Sequence, residues 1–222
     1  MGSVRRGYRQ FCGLARALEL VGGRWALLVV RDLLTGPKRF TELQDGLPGI
    51  PSNVLTSRLR ELEEAGVVER RIQARPGGAV VYELTAYGLE LEEPVMRLGF
   101  WGANAMGPPD KDDFVSMDAL ALALRGAFRP GHAQGPKRLY ELRIDGKSLR
   151  VAVKNRQVTV PTPSLEEPDV VVDASAGVLS QLLAGKLNVD TARTAGHLRL
   201  DGDPAEARRL FEMFRLPSSD DR

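Results

Sequence analysis

The chain has 222 residues, enough at about 150 per domain for one or two domains. Its 43% hydrophobic and 27% charged residues are those of a folded globular chain, which excludes a disordered or fibrous protein. A formal charge of +2 conceals an uneven distribution: residues 1–75 hold 13 Lys+Arg against 8 Asp+Glu, whereas residues 107–222 hold 17 against 17, so a polyanion should meet the N-terminal half.

In chain order, Leu14, Leu18 and Val21 recur at helical spacing before Gly22-Gly23, which predicts a short amphipathic helix. Trp25 to Leu34 reads as a more buried second helix, broken by Gly36-Pro37. Phe40 to Asp45 is a short third, ended by Gly46 and Pro48-Gly49, and Ser52 to Ala65 a fourth, closed by Gly66. Val67 to Gln73 and Val80 to Leu84 are β-rich and flank the turn-forming Ala74 to Gly78, which predicts a hairpin. Helical spacing resumes from Ala86 to Met106 through Leu91, Val95, Leu98 and Trp101, with a kink expected at Pro94. Helices, a recognition-like helix, a hairpin and a closing helix follow the order of a winged helix-turn-helix.

The stretch Gly107 to Asp113 has no apolar side chain and two prolines, and suits a linker. Residues 1–107 and 114–217 are therefore expected to be separate domains. In the second, Tyr140, Leu142 and Ile144 alternate with Glu141 and Arg143, and Leu149, Val151 and Val153 with Arg150 and Lys154, around Asp145-Gly146: a second hairpin. Further strands are expected at Val158 and Val160, Val170 to Val172, and Leu198 with Leu200. Helices are expected at Met117 to Leu124, Val178 to Ala184 and Pro204 to Phe214. Asp203, Pro204 and Glu206 read as a helix start with a capping box. The fold class is α+β, a winged helix-turn-helix followed by an α+β sheet-and-helix domain.

Projected on a helix, Leu55, Leu59 and Leu62 share one face of Ser52 to Ala65, and Asn53, Thr56, Ser57 and Arg60 point away. A plain solvated helix presents such a face too. Between a Pro-Gly turn and a basic hairpin, however, it suits a helix reading base edges in a major groove. With Ser52 and Arg58 of the same helix these are the candidate base contacts. Lys38, Arg39, Arg70, Arg71 and Arg75 are candidate phosphate contacts, Arg75 at the hairpin tip, unless they serve only as solubilising charge beside Glu61, Glu63, Glu64 and Glu69.

Cys12 is the one cysteine, which excludes intrachain disulfides and cysteine-based zinc sites and fits a reducing, cytoplasmic compartment. It is either a small buried hydrophobe or a redox-sensing thiol. His132 falls in a loop and His197 on a solvated strand face. With no companion ligands for them, no catalytic residue, metal or cofactor is expected. No apolar run reaches the roughly 18 residues of a membrane span, and Met1 to Gln10 lacks an apolar signal segment, so no membrane partner is expected.

Residues 8–106 resemble the HxlR-type winged-helix transcription regulators, related in architecture to MarR proteins. The likeness is carried by Cys12, Gly22-Gly23-Arg24-Trp25, Gly36 to Leu43, Leu55 to Leu62 and Tyr82 to Gly88. It implies a homodimer bound to double-stranded DNA, with the first and last helices of this region in the dimer contact. The remainder resembles the sterol-carrier-protein type lipid-binding fold through Tyr140 to Lys147, Pro168 to Val172, Leu182 to Leu187 and Gly196 to Asp203. That likeness implies an apolar cavity and transfers no catalytic residue.

The expected function is a cytoplasmic, dimeric, sequence-specific DNA-binding regulator, not an enzyme, whose C-terminal domain senses a small apolar or amphipathic effector. Met117, Phe128, Phe211, Met213 and Phe214 are the candidate pocket residues, though plain core packing suits each one better when taken singly. The alternative is a lipid or acyl-ligand carrier that uses its winged helix only to dimerise.

Overall fold

A computed structural model of the chain describes residues 7–72, 78–107, 110, 113–162 and 166–216. It divides into two compact units, Met1–Val95 and Met96–Arg222.

The first unit holds α1 (Gly13–Val21), α2 (Ala26–Leu33), α3 (Phe40–Gly46), α4 (Ser52–Glu64), β1 (Val68–Ile72), β2 (Val80–Leu84), α5 (Ala86–Leu89) and the start of α6 (Glu92–Ala103). Its core is the apolar face of α2, with Val29, Val30 and Leu33, against Leu55, Leu59 and Leu62 of α4. The stripe of α1 is only half used. Val21 is buried, whereas Leu14 and Leu18 lie open to solvent. β1 and β2 pair antiparallel from Val68 opposite Leu84 to Ile72 opposite Val80. Most of the predicted hairpin tip, including Arg75, lies outside the described residues.

One expectation is corrected. The closing helix does not kink at Pro94; it is two helices, parted at Glu90 and Leu91. Thr85 caps the one-turn α5 by accepting from the Gly88 N–H at 3.0 Å. Pro94 sits in the first turn of α6, where a missing backbone donor costs nothing because that N–H has no helical partner.

The second unit holds α7 (Met117–Ala127), a 3₁₀ turn (Pro130–His132), β3 (Arg138–Ile144), β4 (Lys147–Lys154), β5 (Gln157–Thr159), β6 (Val170–Ala174), α8 (Ala176–Leu183), α9 (Val189–Thr194), β7 (Leu198–Gly202) and α10 (Pro204–Met213). The strands form one mixed sheet in the order β5-β4-β3-β6-β7, with β3 and β6 parallel and the other pairs antiparallel. Asp145 and Gly146 turn β3 into β4 with φ of +48° and +81°, as a tight two-residue hairpin requires. Tyr140, Leu142, Ile144, Val151, Val170 and Val172 form the inner face of the sheet and share one core with residues of α7, α8, α9 and α10. Part of α6 belongs here: a Cβ on Gly126 of α7 would stand 2.7 Å from the Phe100 ring.

The short α9, capped by Asn188 accepting from the Thr191 N–H at 2.8 Å, is absent from the sequence reading. The start of α10 is half as expected. Asp203 accepts from the Ala205 N–H at 2.8 Å and Pro204 opens the helix, but Glu206 turns away from the cap toward Arg138 and Tyr140. Glu141, which alternates with the inward residues of β3, is nevertheless only 7% exposed, enclosed by Arg143 at 2.7 Å and Arg150 at 3.4 Å. The Arg143 hydrogen bond outweighs desolvation and holds the Glu141 carboxyl below its ordinary value of 4.5.

Candidate functional site

α3 and α4 are joined by a turn whose shape is set by two apolar anchors. Leu47 and Ile50 are buried on either side of Pro48-Gly49, and Gly49 takes a φ of +82°. The Arg39 N–H donates to Glu42 at 2.6 Å and fixes the start of α3, and Gln44 of α3 donates to Ser52 Oγ at 2.8 Å across the turn. With Leu55, Leu59 and Leu62 locked inward, Ser52, Asn53, Thr56, Ser57 and Arg60 are all exposed along the opposite face of α4. Thr56 Oγ1 donates back to the Ser52 carbonyl at 2.9 Å. The Arg60 side chain is 72% exposed and reaches Glu64 only at 3.7 Å, a surface pair too weak to tether it.

Arg58 departs from this set. Its side chain is turned back into the unit, ion-paired with Glu61, and its guanidinium lies where a Cβ of Gly23 would be. That position explains the glycine in Gly22-Gly23-Arg24-Trp25 and makes Arg58 a strut between α4 and the α1–α2 turn.

The hairpin is tied to the same surface by a contact the sequence did not suggest. The Lys38 N–H donates to the Tyr82 carbonyl at 2.9 Å and the Tyr82 N–H to the Lys38 carbonyl at 2.8 Å, so the segment before α3 adds a bridge to β2. Lys38 and Arg39 thereby enter the surface at the head of α3, Lys38 half-buried and Arg39 exposed. Arg70 and Arg71 are exposed on β1, Arg71 pairing with Glu69 at 2.9 Å and Glu83 at 2.6 Å. At the foot of the hairpin, Thr85 Oγ1 donates to the Gly66 carbonyl at 2.6 Å, and Gly88 passes so close to the Val67 carbonyl that a Cβ would overlap it. Cys12 is exposed at the head of α1, which overturns the buried-hydrophobe reading.

The candidate pocket residues of the second unit lie in or on its core. Phe211, Met213 and Phe214 are buried, Met117 and Phe128 pack against them, and the Phe128 and Phe214 rings stand 5.3 Å apart. Beside Met213 is a cavity of about 10 Å³, room for one water. A polar cluster adjoins it that sequence reasoning missed: Tyr140 Oη donates to Glu206 Oε2 at 3.3 Å, and Glu206 Oε1 faces Arg138 at 3.3 Å and Arg209 at 3.7 Å. Burial, then the Glu206 carboxylate, raise the Tyr140 hydroxyl above the phenolic range and keep it a donor. Spacing held the signal. Arg138 and Tyr140 share a strand face, and Glu206, Arg209 and Met213 share a helix face.

The first unit has the architecture of a winged helix-turn-helix, the class that presents one helix and a hairpin to DNA. Residues 20–110 match the HxlR-like helix-turn-helix family and residues 125–215 the SCP-2 sterol transfer family. Among its relatives is the transcriptional regulator YtcD of Bacillus subtilis, 37% identical over 105 residues, a match covering 47% of this chain and 83% of that protein. The regulator YodB of the same organism is 35% identical over 94 residues, covering 42% and 84%. A solved structure of the redox regulator HypR in its oxidised form is 33% identical, covers 43% of this chain and 99% of that one, and superposes with a TM-score of 0.41. The chain belongs to the HxlR-like helix-turn-helix family of transcriptional regulators, with an SCP-2 domain following the winged helix.

Proposed function

We propose that this chain is a cytoplasmic homodimer that binds double-stranded DNA sequence-specifically and whose C-terminal domain binds a small apolar or amphipathic effector that alters DNA affinity. The observation that carries the DNA reading is the face of α4. Three buried leucines, Leu55, Leu59 and Leu62, hold Asn53, Thr56, Ser57 and Arg60 outward together, and Arg39 and Arg70 are exposed in the same unit. Side chains of these types reach base edges and phosphates. Apolar side chains left open on α1 and α6, among them Leu14, Leu18 and Trp101, support the dimer. The SCP-2 match supports the effector.

The test is genomic footprinting with the full-length protein, followed by titration of a recovered site and a random duplex at several salt concentrations. A regulator prefers its site by about 10³-fold or more and loses affinity steeply with salt. A carrier that uses the winged helix only to dimerise has no preferred site, and that result rejects the proposal. Adding a fluorescent fatty-acyl probe to the full-length protein then tests the effector: saturable binding should shift operator affinity.

A second reading rests on the exposure of Cys12. In it, the thiols of two protomers give up two protons and two electrons to a mild oxidant such as diamide and form an interchain bridge. Non-reducing electrophoresis checks this, and Cys12→Ser should abolish both the bridge and any change in DNA binding.

A further inference from the structure

We infer that Arg58 sets the spacing of the two DNA half-sites that a dimer of this chain accepts, by fixing the angle between α1 and α4. The inference rests on the dimeric DNA-binding reading above and adds what determines operator geometry. On that reading α4 carries the face that meets the bases and α1 the open Leu14 and Leu18 through which protomers meet, so the path between these helices decides how far apart a dimer holds its two copies of α4. α1 packs on α4, and Arg58 makes a second link, from α4 to the turn between α1 and α2. Its side chain is only 16% exposed, although arginine is seldom enclosed. Glu61 pairs with the guanidinium, and Gly23 lies against it: the three atoms nearest a Cβ at that glycine all belong to Arg58, with Cζ at 2.7 Å.

Shape, not hydrogen bonding, explains this contact. Arg58 Nε is buried without a hydrogen-bond partner, a cost that a more relaxed side chain would avoid, so what the position secures is where the guanidinium stands. The corner it meets is itself under strain. The Gly23 carbonyl accepts from the Ala26 N–H at 3.0 Å and closes a four-residue turn, whose third residue, Trp25, takes a φ of +77° and a ψ of −19°. That place in such a turn suits glycine, and a bulky side chain stays in it only where the surroundings hold it. Gly23 has no left-handed φ, so its missing side chain serves the arginine and not the backbone. The nine residues of α1 span about 13 Å, and a change of about 15° at this corner moves the far end by about 3.5 Å, close to the rise of one base pair. A strut that keeps the corner from turning therefore keeps the half-sites in register.

Binding of the full-length protein to a recovered operator, to versions with one or two base pairs added or removed between the half-sites, and to a single half-site tests this. The wild type should favour the natural spacing by about tenfold over its neighbours, because a rigid dimer reaches them only by deforming itself or the duplex. In Gly23→Ala the added methyl group and the guanidinium cannot share one place. Either α4 yields and the preferred spacing shifts by about one or two base pairs, or Arg58 swings out and the tenfold preference falls to about threefold or less. Affinity for the single half-site should stay as it was, which a damaged fold would not allow. Arg58→Lys keeps a charge for Glu61 but has no planar guanidinium to set against Gly23, and should flatten the spacing profile. In an Arg58→Ala background, Gly23→Ala should have no further effect. Profiles that keep the wild-type optimum and steepness in both Gly23→Ala and Arg58→Lys, or an equal loss at every spacing and at the half-site, overturn the inference and leave the DNA reading intact. A wild type that prefers no site, or that binds as a monomer, overturns both.

Discussion

The two halves of the chain treat their apolar side chains differently. Up to residue 114, Tyr8, Phe11, Leu14, Leu18, Leu28, Ile72, Tyr87, Leu89, Leu98, Trp101, Met106 and Phe114 are exposed; between residues 115 and 216 no large apolar side chain among the described residues is. The second stretch closes its own core, with a mixed sheet floored by valine and leucine and covered by helices. The first leaves a hydrophobic surface that a monomer does not need. Self-sufficiency in one region and open apolar faces in the other are what a regulator requires if dimerisation belongs to the winged helix and ligand chemistry to the appended domain.

The largest effect that would test this contrast comes from the closed core. Phe214→Ala should lower stability by about 3–5 kcal/mol, because the ring is fully buried against Phe128, whereas Trp101→Ala should change monomer stability by less than about 0.5 kcal/mol. Thermal melts at low protein concentration separate the two, and similar losses would dissolve the distinction. Next in size is Leu14→Glu. A charge on this exposed position should leave the fold intact but weaken dimerisation by about 2–3 kcal/mol, with a matching loss of operator affinity. Light scattering that finds an unchanged dimer would move the interface elsewhere.

Arg60→Ala should cost about 1–3 kcal/mol of discrimination between specific and random DNA, and Arg39→Ala should weaken both duplexes alike and reduce the salt slope by about 1. An unaltered specificity ratio in Arg60→Ala would remove the outward face of α4 from recognition. The smallest effect is on the outer face of the sheet. Glu141→Gln should cost about 1 kcal/mol near neutral pH by weakening the bonds from Arg143 and Arg150. Because the folded-state pKa is lowered, that stabilisation is complete above the ordinary value of 4.5 and is lost as pH falls through the folded value. Denaturation curves of the two proteins should therefore converge on acidification.

Periodicity made the helices of the first unit, both hairpins and the inward and outward faces of α4 legible, because each buries one face and a period of 3.6 or 2 records it. What stayed hidden depends on contacts distant in sequence. Arg58 looks like its neighbours on α4 until Gly23 is brought beside it. Glu206 has the spacing of a capping box, and only the packing of α10 over β3 reveals the arginines and the tyrosine that draw it away. The break at Glu90 and Leu91 was masked by a proline that looks like the natural culprit, and α9 spans too few residues for a period to register.

The pair of hydrogen bonds between Lys38 and Tyr82 has a consequence for anyone recombining this fold. The hairpin is not a detachable arm, since its second strand is stitched to the residue that leads into α3. The amides of Lys38 and Tyr82 share one opening event and should exchange with deuterium at the same slow rate. A wing transplanted from a relative without the matching segment ahead of α3 would arrive unfastened, free to pivot relative to the recognition helix. Exchange of half-sites between regulators of this kind should therefore be cut upstream of Gly36, so that the clasp travels with the wing.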